Sequence, residues 1–120
     1  MRARNHKDLK AWMIAMDLVE DVYRLSRALP AEERFTLCVQ LRRAAVSIPA
    51  NIAEGAGRAS RADFARFVAI ASGSLSELET LILLCERLGL FEGAQAAHQK
   101  IRAVRQMLAS LRRALIHAAG

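Results

Sequence analysis

Between Ser60 and Leu88 the chain reads "SRADFARFVAIASGSLSELETLILLCERL". Phe64, Phe67, Ala71, Ser74, Leu78, Leu81, Cys85 and Leu88 recur there at spacings of three and four. That period holds side chains on one stripe of a helix, and sustained over this length it is the seam of a long bundle helix. Ser60 stands where an N-cap belongs, Asp63 is placed to complete a capping box, and Gly89 follows as a stop. A helix over 60–88 needs partners for its seam, and the rest of the chain supplies them.

Downstream, Ala97, Ile101, Val104, Leu108, Leu111, Leu115 and Ala118 alternate in the same way and predict a helix over 92–118. Upstream, Leu9, Trp12, Met16, Val19 and Tyr23 fall on one face of a helix over 7–28, widened by Met13, Leu18, Val22 and Leu25 and ended by Pro30. Leu37, Leu41, Ala44, Ala45, Ile48 and Ile52 line a helix over 31–54, opened by Glu32 and Glu33 and closed by Gly55 and Gly57. The expectation is one all-α domain spanning 1–120, an antiparallel up-down-up-down four-helix bundle with rods of about 35–40 Å. The stripe of the third helix is wider than one core needs, with Val68, Ile70, Leu75 and Ile82 beside the seam. Surplus apolar surface of that kind marks an interface, so a homo-oligomer is expected.

The second helix contains the oddest stretch, "RRAAVSIPANIAEGAGR" from Arg42 to Arg58. Pro49 lacks the N–H that would bond the Ala45 carbonyl, so a kink is expected there. Arg43, Ser47, Asn51, Glu54 and Arg58 form a polar stripe beside the apolar one. Opposite them, Ile70 to Leu78 is rich in small residues around Gly73, where two backbones can approach. A hairpin turning near Gly57 would set Pro49 against Arg66 or Phe67, and Gly73 against Leu41 or Arg42. Arg43, Ser47, Pro49, Asn51, Glu54, Gly55 and Gly73 therefore read as a structural and assembly motif.

Composition narrows function. Net charge is +6, with arginine outnumbering lysine fifteen to three. From Gly93 onward five basic residues stand without an acidic one. Such an excess suits a polyanionic partner. No apolar run reaches the about 18 residues of a membrane span, and no apolar signal core follows the basic N-terminus, so a cytoplasmic protein without membrane association is expected. Cys38 and Cys85 read as small core hydrophobes. His6, His98 and His117 lack metal-ligand spacing with acids or cysteines, and the glycines fit neither a phosphate loop nor a dinucleotide fingerprint. No metal and no cofactor is expected.

The residues do match a known pattern. Arg43–Ala44, Ser47–Ile48, Asn51–Ile52–Ala53–Glu54–Gly55, Arg58, Ser60, Phe64, Gly73–Ser74 and Glu77–Leu78, with Trp12 and Tyr23 in the first helix, resemble the four-helix-bundle proteins encoded in intervening sequences of bacterial large-subunit ribosomal RNA genes. The accessory variability determinant of diversity-generating retroelements belongs to that group. The resemblance covers about 9–115. It implies a ring-like homo-oligomer, a pentamer with a central channel, without enzymatic activity and with nucleic acid as a ligand. It supplies no agreed catalytic or ligand residues.

The expected function is thus a non-enzymatic homo-oligomeric module binding RNA or DNA. Candidate phosphate contacts are Arg58 and Arg61, on a glycine-bearing turn at a helix N-terminus, and Arg102, Arg105, Arg112 and Arg113, which avoid the seam of the fourth helix. One alternative is a protein-interaction scaffold whose basic surface recruits an acidic partner protein. Another is an endoribonuclease, because Arg112 and His117 match the arginine–histidine spacing on the last helix of HEPN-type bundles. Arg113 stands where those enzymes carry a polar residue, which departs from that pattern.

Overall fold

The computed structural model describes residues 5–6 and 9–118. Among them, regular structure is entirely helical: α1 Lys10–Ser26, α2 Leu37–Ala56, α3 Arg61–Arg87 and α4 Gln95–Ala118, with a short 3-10 turn at Ala31–Glu33. The expected start of the first helix at Lys7 lies outside the described residues. Each helix packs on two neighbours in the cycle α1–α2–α3–α4, with the α2–α3 contact the most extensive. The molecule measures 49 × 22 × 20 Å.

The buried face of α1 differs from the expected one. Leu9, Leu18 and Val22 are buried as expected, but so are Ala11 and Ala15, which lie outside the expected stripe, whereas Trp12, Val19, Tyr23 and Leu25 are half-buried and Met13 and Met16 are exposed. The alanines let the neighbouring helices come close, and the larger side chains cover the flanks. At the end of α1, Ser26 is 1% exposed and polar. Its hydroxyl donates to the Tyr23 carbonyl (2.9 Å) and accepts from Arg42 Nε (2.9 Å), while its carbonyl accepts from Cys38 Sγ (3.3 Å). This one residue ties α1 to the start of α2.

Glu32 and Glu33 do not open α2 but form the separate 3-10 turn. Thr36 Oγ1 turns back to Glu33, donating to its carboxylate at 2.6 Å. Such local side-chain bonds compete with helix, and α2 starts only at Leu37. It then runs through the buried Pro49 to Ala56. Gly55 is not the helix stop. It is buried inside α2, and a Cβ there would lie 2.8 Å from Phe67 Cβ and 2.9 Å from Phe64 Cδ1. α2 and α3 approach closely at this glycine. Gly73, expected to serve that purpose, is exposed, and a Cβ on it would meet nothing within 4 Å.

In α3, Ser60 caps as expected, its Oγ accepting from the Asp63 amide at 3.0 Å. The Asp63 carboxylate faces Arg66 (3.1 Å) and Arg58 (3.6 Å). The other end closes in a Schellman motif. The Leu90 amide donates to the Cys85 carbonyl (2.9 Å) and the Gly89 amide to the Glu86 carbonyl (3.0 Å), with Gly89 at φ +69°.

Val68, Leu75 and Ile82, read as surplus apolar surface, are fully buried together with Leu78, Ile52, Ile101 and Leu108. Of that surplus only Ile70 remains exposed. Among the described residues α3 is the one helix that by length and composition could cross a bilayer. Here its apolar residues serve packing, from Ala65 through Val68, Ala71 and Leu75 to Cys85.

Candidate nucleic-acid interface

The basic candidates lie in three settings. On α4, Arg102, Arg112 and Arg113 are exposed, and Arg113 donates to Ser110 Oγ at 3.2 Å. The helix carries no acidic residue along its whole length. Its apolar seam of Ala97, Ile101, Val104, Leu108 and Leu115 is buried, which fixes the arginines outward.

At the α2–α3 turn, Arg58 and Arg61 are both exposed. Arg58 is committed to local partners: its Nη2 meets Glu54 at 3.0 Å, and its guanidinium lies 4.8 Å from the Phe67 ring centroid. Arg66 covers the same ring at 4.5 Å. The two guanidinium groups are thus pre-oriented around one buried aromatic. Sequence reading missed Arg66, although its i, i+3 spacing from Asp63 was available.

Facing α3, Arg105 is half-buried and donates to Glu79 at 2.8 Å. Lys100 likewise bonds Asp21 at 2.6 Å, and His98 bonds Glu86 at 3.0 Å. These cross-helix pairs spend charge on joining α4 to α1 and α3.

The assembly-motif residues come together between α2 and α3. Ser47 Oγ and Ser74 Oγ are 2.7 Å apart, and Asn51 Nδ2 donates to both the Ser47 carbonyl (2.8 Å) and Ser47 Oγ (3.0 Å). This register differs from the expected one: with Ser47 against Ser74, the level of Pro49 falls near Ser72 rather than Arg66 or Phe67, and Gly73 lies near the level of Ser47 and Ile48 rather than Leu41 or Arg42. α2 continues past Gly55 to Ala56, and the connection to α3 runs from Gly57 to Ser60. Arg43 is exposed above this network, Glu54 pairs with Arg58, and Pro49 and Gly55 are buried.

Arg112 and His117 are both exposed on the last turns of α4. Five positions apart, they point about 140° from one another around the helix. Among the described residues no cluster of histidine, cysteine, aspartate or glutamate could hold a metal ion.

Residues 7–110 match the family model of the 23S rRNA-intervening sequence protein. The chain belongs to that family. No curated protein matches the chain. In this member of the 23S rRNA-intervening sequence protein family, the residues that carry the resemblance lie mostly on α2 and α3, with Trp12 and Tyr23 on α1, and Arg102, Arg112 and Arg113 are exposed on α4.

Proposed function

We propose that this member of the family is a non-enzymatic, cytoplasmic homo-oligomer that binds RNA or DNA through phosphate contacts. The observation that carries the reading is α4: an acid-free helix with Arg102, Arg112 and Arg113 exposed on it. An up-down alternation of the helices is part of the proposal. It is supported by Glu86–His98 and Glu79–Arg105, which advance in opposite directions along α3 and α4, and by a groove in which Leu9–Ala11 meets Gln106–Ala114. With that alternation, the start of α1, the α2–α3 turn and the end of α4 share one end of the bundle. Lys10, Arg58, Arg61, Arg66, Arg112 and Arg113 gather there against Glu54 and Asp63. The opposite end mixes Arg24, Arg27, Arg34 and Arg87 with Asp21, Glu32, Glu33, Glu86 and Glu92. The missing N–H of Pro49 supports a bend in α2, and the resemblance of the motif supports a ring of subunits, five by analogy.

Among the described residues one aromatic ring, Phe35, is exposed, at 83%, in the segment between α1 and α2; Phe67 and Phe91 are buried and Trp12, Tyr23 and Phe64 half-buried, which leaves little surface for stacking. Binding is therefore electrostatic and nearly independent of sequence. Titration of labelled RNA and duplex DNA at several salt concentrations tests this. The affinity should fall steeply with salt, and Arg112→Gln with Arg113→Gln should reduce the log–log slope by about 0.7–0.9 per lost phosphate contact. Absence of binding at about 50 mM salt, where phosphate contacts are strong, would refute the reading.

One observation favours a protein-binding scaffold as a second reading. The α1–α4 groove, of about 520 Å³, has apolar walls from Leu9, Ala11, Met107, Leu111 and Ala114. Pull-down from the native host with and without nuclease separates the two: a partner that survives nuclease favours the scaffold. RNA cleavage that disappears in His117→Ala would promote the nuclease alternative over both.

A further inference from the structure

We infer that the groove between α1 and α4 is a docking site for an acidic amphipathic helix of a partner protein; the inference rests on the scaffold reading above and names the chemistry of its occupant.

The walls of the groove call for an apolar occupant. Met107 and Leu111 are half-buried against the core, and Leu9 and Ala11 line the α1 side. Along α4 the lining runs from Gln106 to Ala114, about 12 Å at about 1.5 Å per residue. That length holds two helical turns, the span of anchors at i, i+3 or i+4, and i+7. Ser110 and Ala114, which also line it, are small and exposed, so a rod about 10 Å across can settle between the two helices. A helix bonds its own N–H and C=O groups and covers these walls without stranding backbone polar atoms, as an extended segment would. Nucleic acid is the poorer occupant. Phosphates gain nothing from apolar walls, and among the described residues no aromatic side chain lines the groove for a base to stack on.

The charges around the groove select the sign of the partner. Lys10 lines it and is exposed. Arg113 reaches the lining residue Ser110, donating to its Oγ at 3.2 Å. Arg102 lies one turn before Gln106 on the same side of α4. Among the described residues none of these three cations has an ion pair, and no acidic residue lines the groove. Further along the same α1–α4 contact the protein does neutralise its cation, with Lys100 on Asp21 at 2.6 Å. One stretch of the contact is thus closed by an internal pair, and the other is left apolar, open and positive. Glutamate or aspartate side chains flanking an apolar stripe supply what that stretch lacks.

Three synthetic peptides of about 20 residues, long enough to be helical, test the assignment. They share one leucine stripe with spacings of three and four and carry glutamate, glutamine or lysine on its flanks. Fluorescence anisotropy at about 50 mM salt, where exposed charges are weakly screened, reads their affinities. The glutamate peptide should bind about tenfold tighter than the glutamine peptide, and the lysine peptide most weakly. Ala114→Gln, which fills the groove without altering charge, should weaken the glutamate peptide about tenfold. Lys10→Glu should weaken it about fivefold. Both positions are exposed, glutamine is a good helix former, and glutamate suits the first turn of α1, so neither variant fails by unfolding. Thr80→Glu, an exposed change on α3, should stay within about twofold of the wild type. A glutamate peptide that binds no tighter than the glutamine one overturns the acidic partner and leaves the scaffold reading standing. Binding that survives Ala114→Gln overturns the groove as its place. RNA affinity that falls as far as peptide affinity in Ala114→Gln assigns the groove to nucleic acid, and a light-scattering mass that drops in that variant assigns it to a second copy; either overturns the inference. If none of the three peptides binds at about 1 mM protein, the scaffold reading fails with it.

Discussion

Replacing Gly55 by alanine sets two effects against each other. Alanine in a helix interior gains about 1 kcal/mol over glycine. The added methyl, however, would lie 2.8 Å from Phe67 Cβ, 2.9 Å from Phe64 Cδ1 and 3.3 Å from the Phe64 carbonyl oxygen. Ordinary carbon contacts are about 3.5–4.0 Å, so the helices must separate by about 0.7 Å. Phe67 cannot rotate away, because its clashing atom is fixed to the backbone. Its ring is also held between Arg58 and Arg66. Overpacking of this kind costs about 1–3 kcal/mol, and the backbone-fixed contact puts it at the upper end. The net expectation is a loss of about 2 kcal/mol, or roughly 8 °C in Tm for a domain of this size. Thermal and urea unfolding at one fixed protein concentration measure it, since any association makes stability concentration-dependent. Gly57→Ala is the control: Gly57 has φ −85° and its nearest contact would be 3.6 Å, so the change should stay within about 0.5 kcal/mol. If Gly55→Ala is as stable as the wild type, or more so, the close-approach argument is refuted.

Gly89→Ala forces a side chain into the left-handed region at φ +69° and should lower stability by about 1 kcal/mol by urea unfolding. Ser26→Ala removes the acceptor of Arg42 Nε at the α1–α2 junction. It should shift the urea midpoint by an amount equivalent to about 1.5–3 kcal/mol, with the m-value unchanged. Burial pushes the Cys85 thiol above its ordinary value of 9.0, with Glu33, Cys38 and Glu86 adding to the effect. Above pH 9 the unfolded chain loses this proton while the folded chain keeps it. Stability should therefore be unaffected by Cys85 below the ordinary thiol range and fall as pH rises beyond it, and Cys85→Ala should flatten that decline. Reversing Arg112 and Arg113 to glutamate should abolish RNA binding without changing the unfolding midpoint by more than about 0.5 kcal/mol, as expected for exposed positions.

Local signals were legible in the sequence. Ser60 caps α3 and Gly89 closes it, because each acts within a few residues of its own helix end. The α4 seam was legible because one strict period governs the whole helix. Distant effects were not. The face of α1 was misjudged toward its largest side chains, since only the packed neighbours reveal that Ala11 and Ala15 set the distance. Gly55 looked like a stop because Phe64 and Phe67, which require it, lie on another helix. The open basic surface was partly legible: exposure of Arg102, Arg112 and Arg113 follows from the seam. The capture of Arg105 by Glu79, 26 residues away, does not. Ser26 carried no motif, and its role depends on Arg42 and Cys38 arriving from α2.

The Ser47–Ser74–Asn51 network has a consequence for the chain's tolerance of change. Alignment of the hairpin is carried at its midpoint, not by its connecting segment. Sliding α3 by one turn along α2 would strand these polar atoms against apolar neighbours, at about 1–3 kcal/mol for each group left without a partner. The four residues from Gly57 to Ser60 are thereby relieved of setting alignment. Doubling the length of such a connection costs only about 0.6 kcal/mol in closure entropy. The segment can therefore accept inserted residues, or a grafted peptide, while the two helices keep their places.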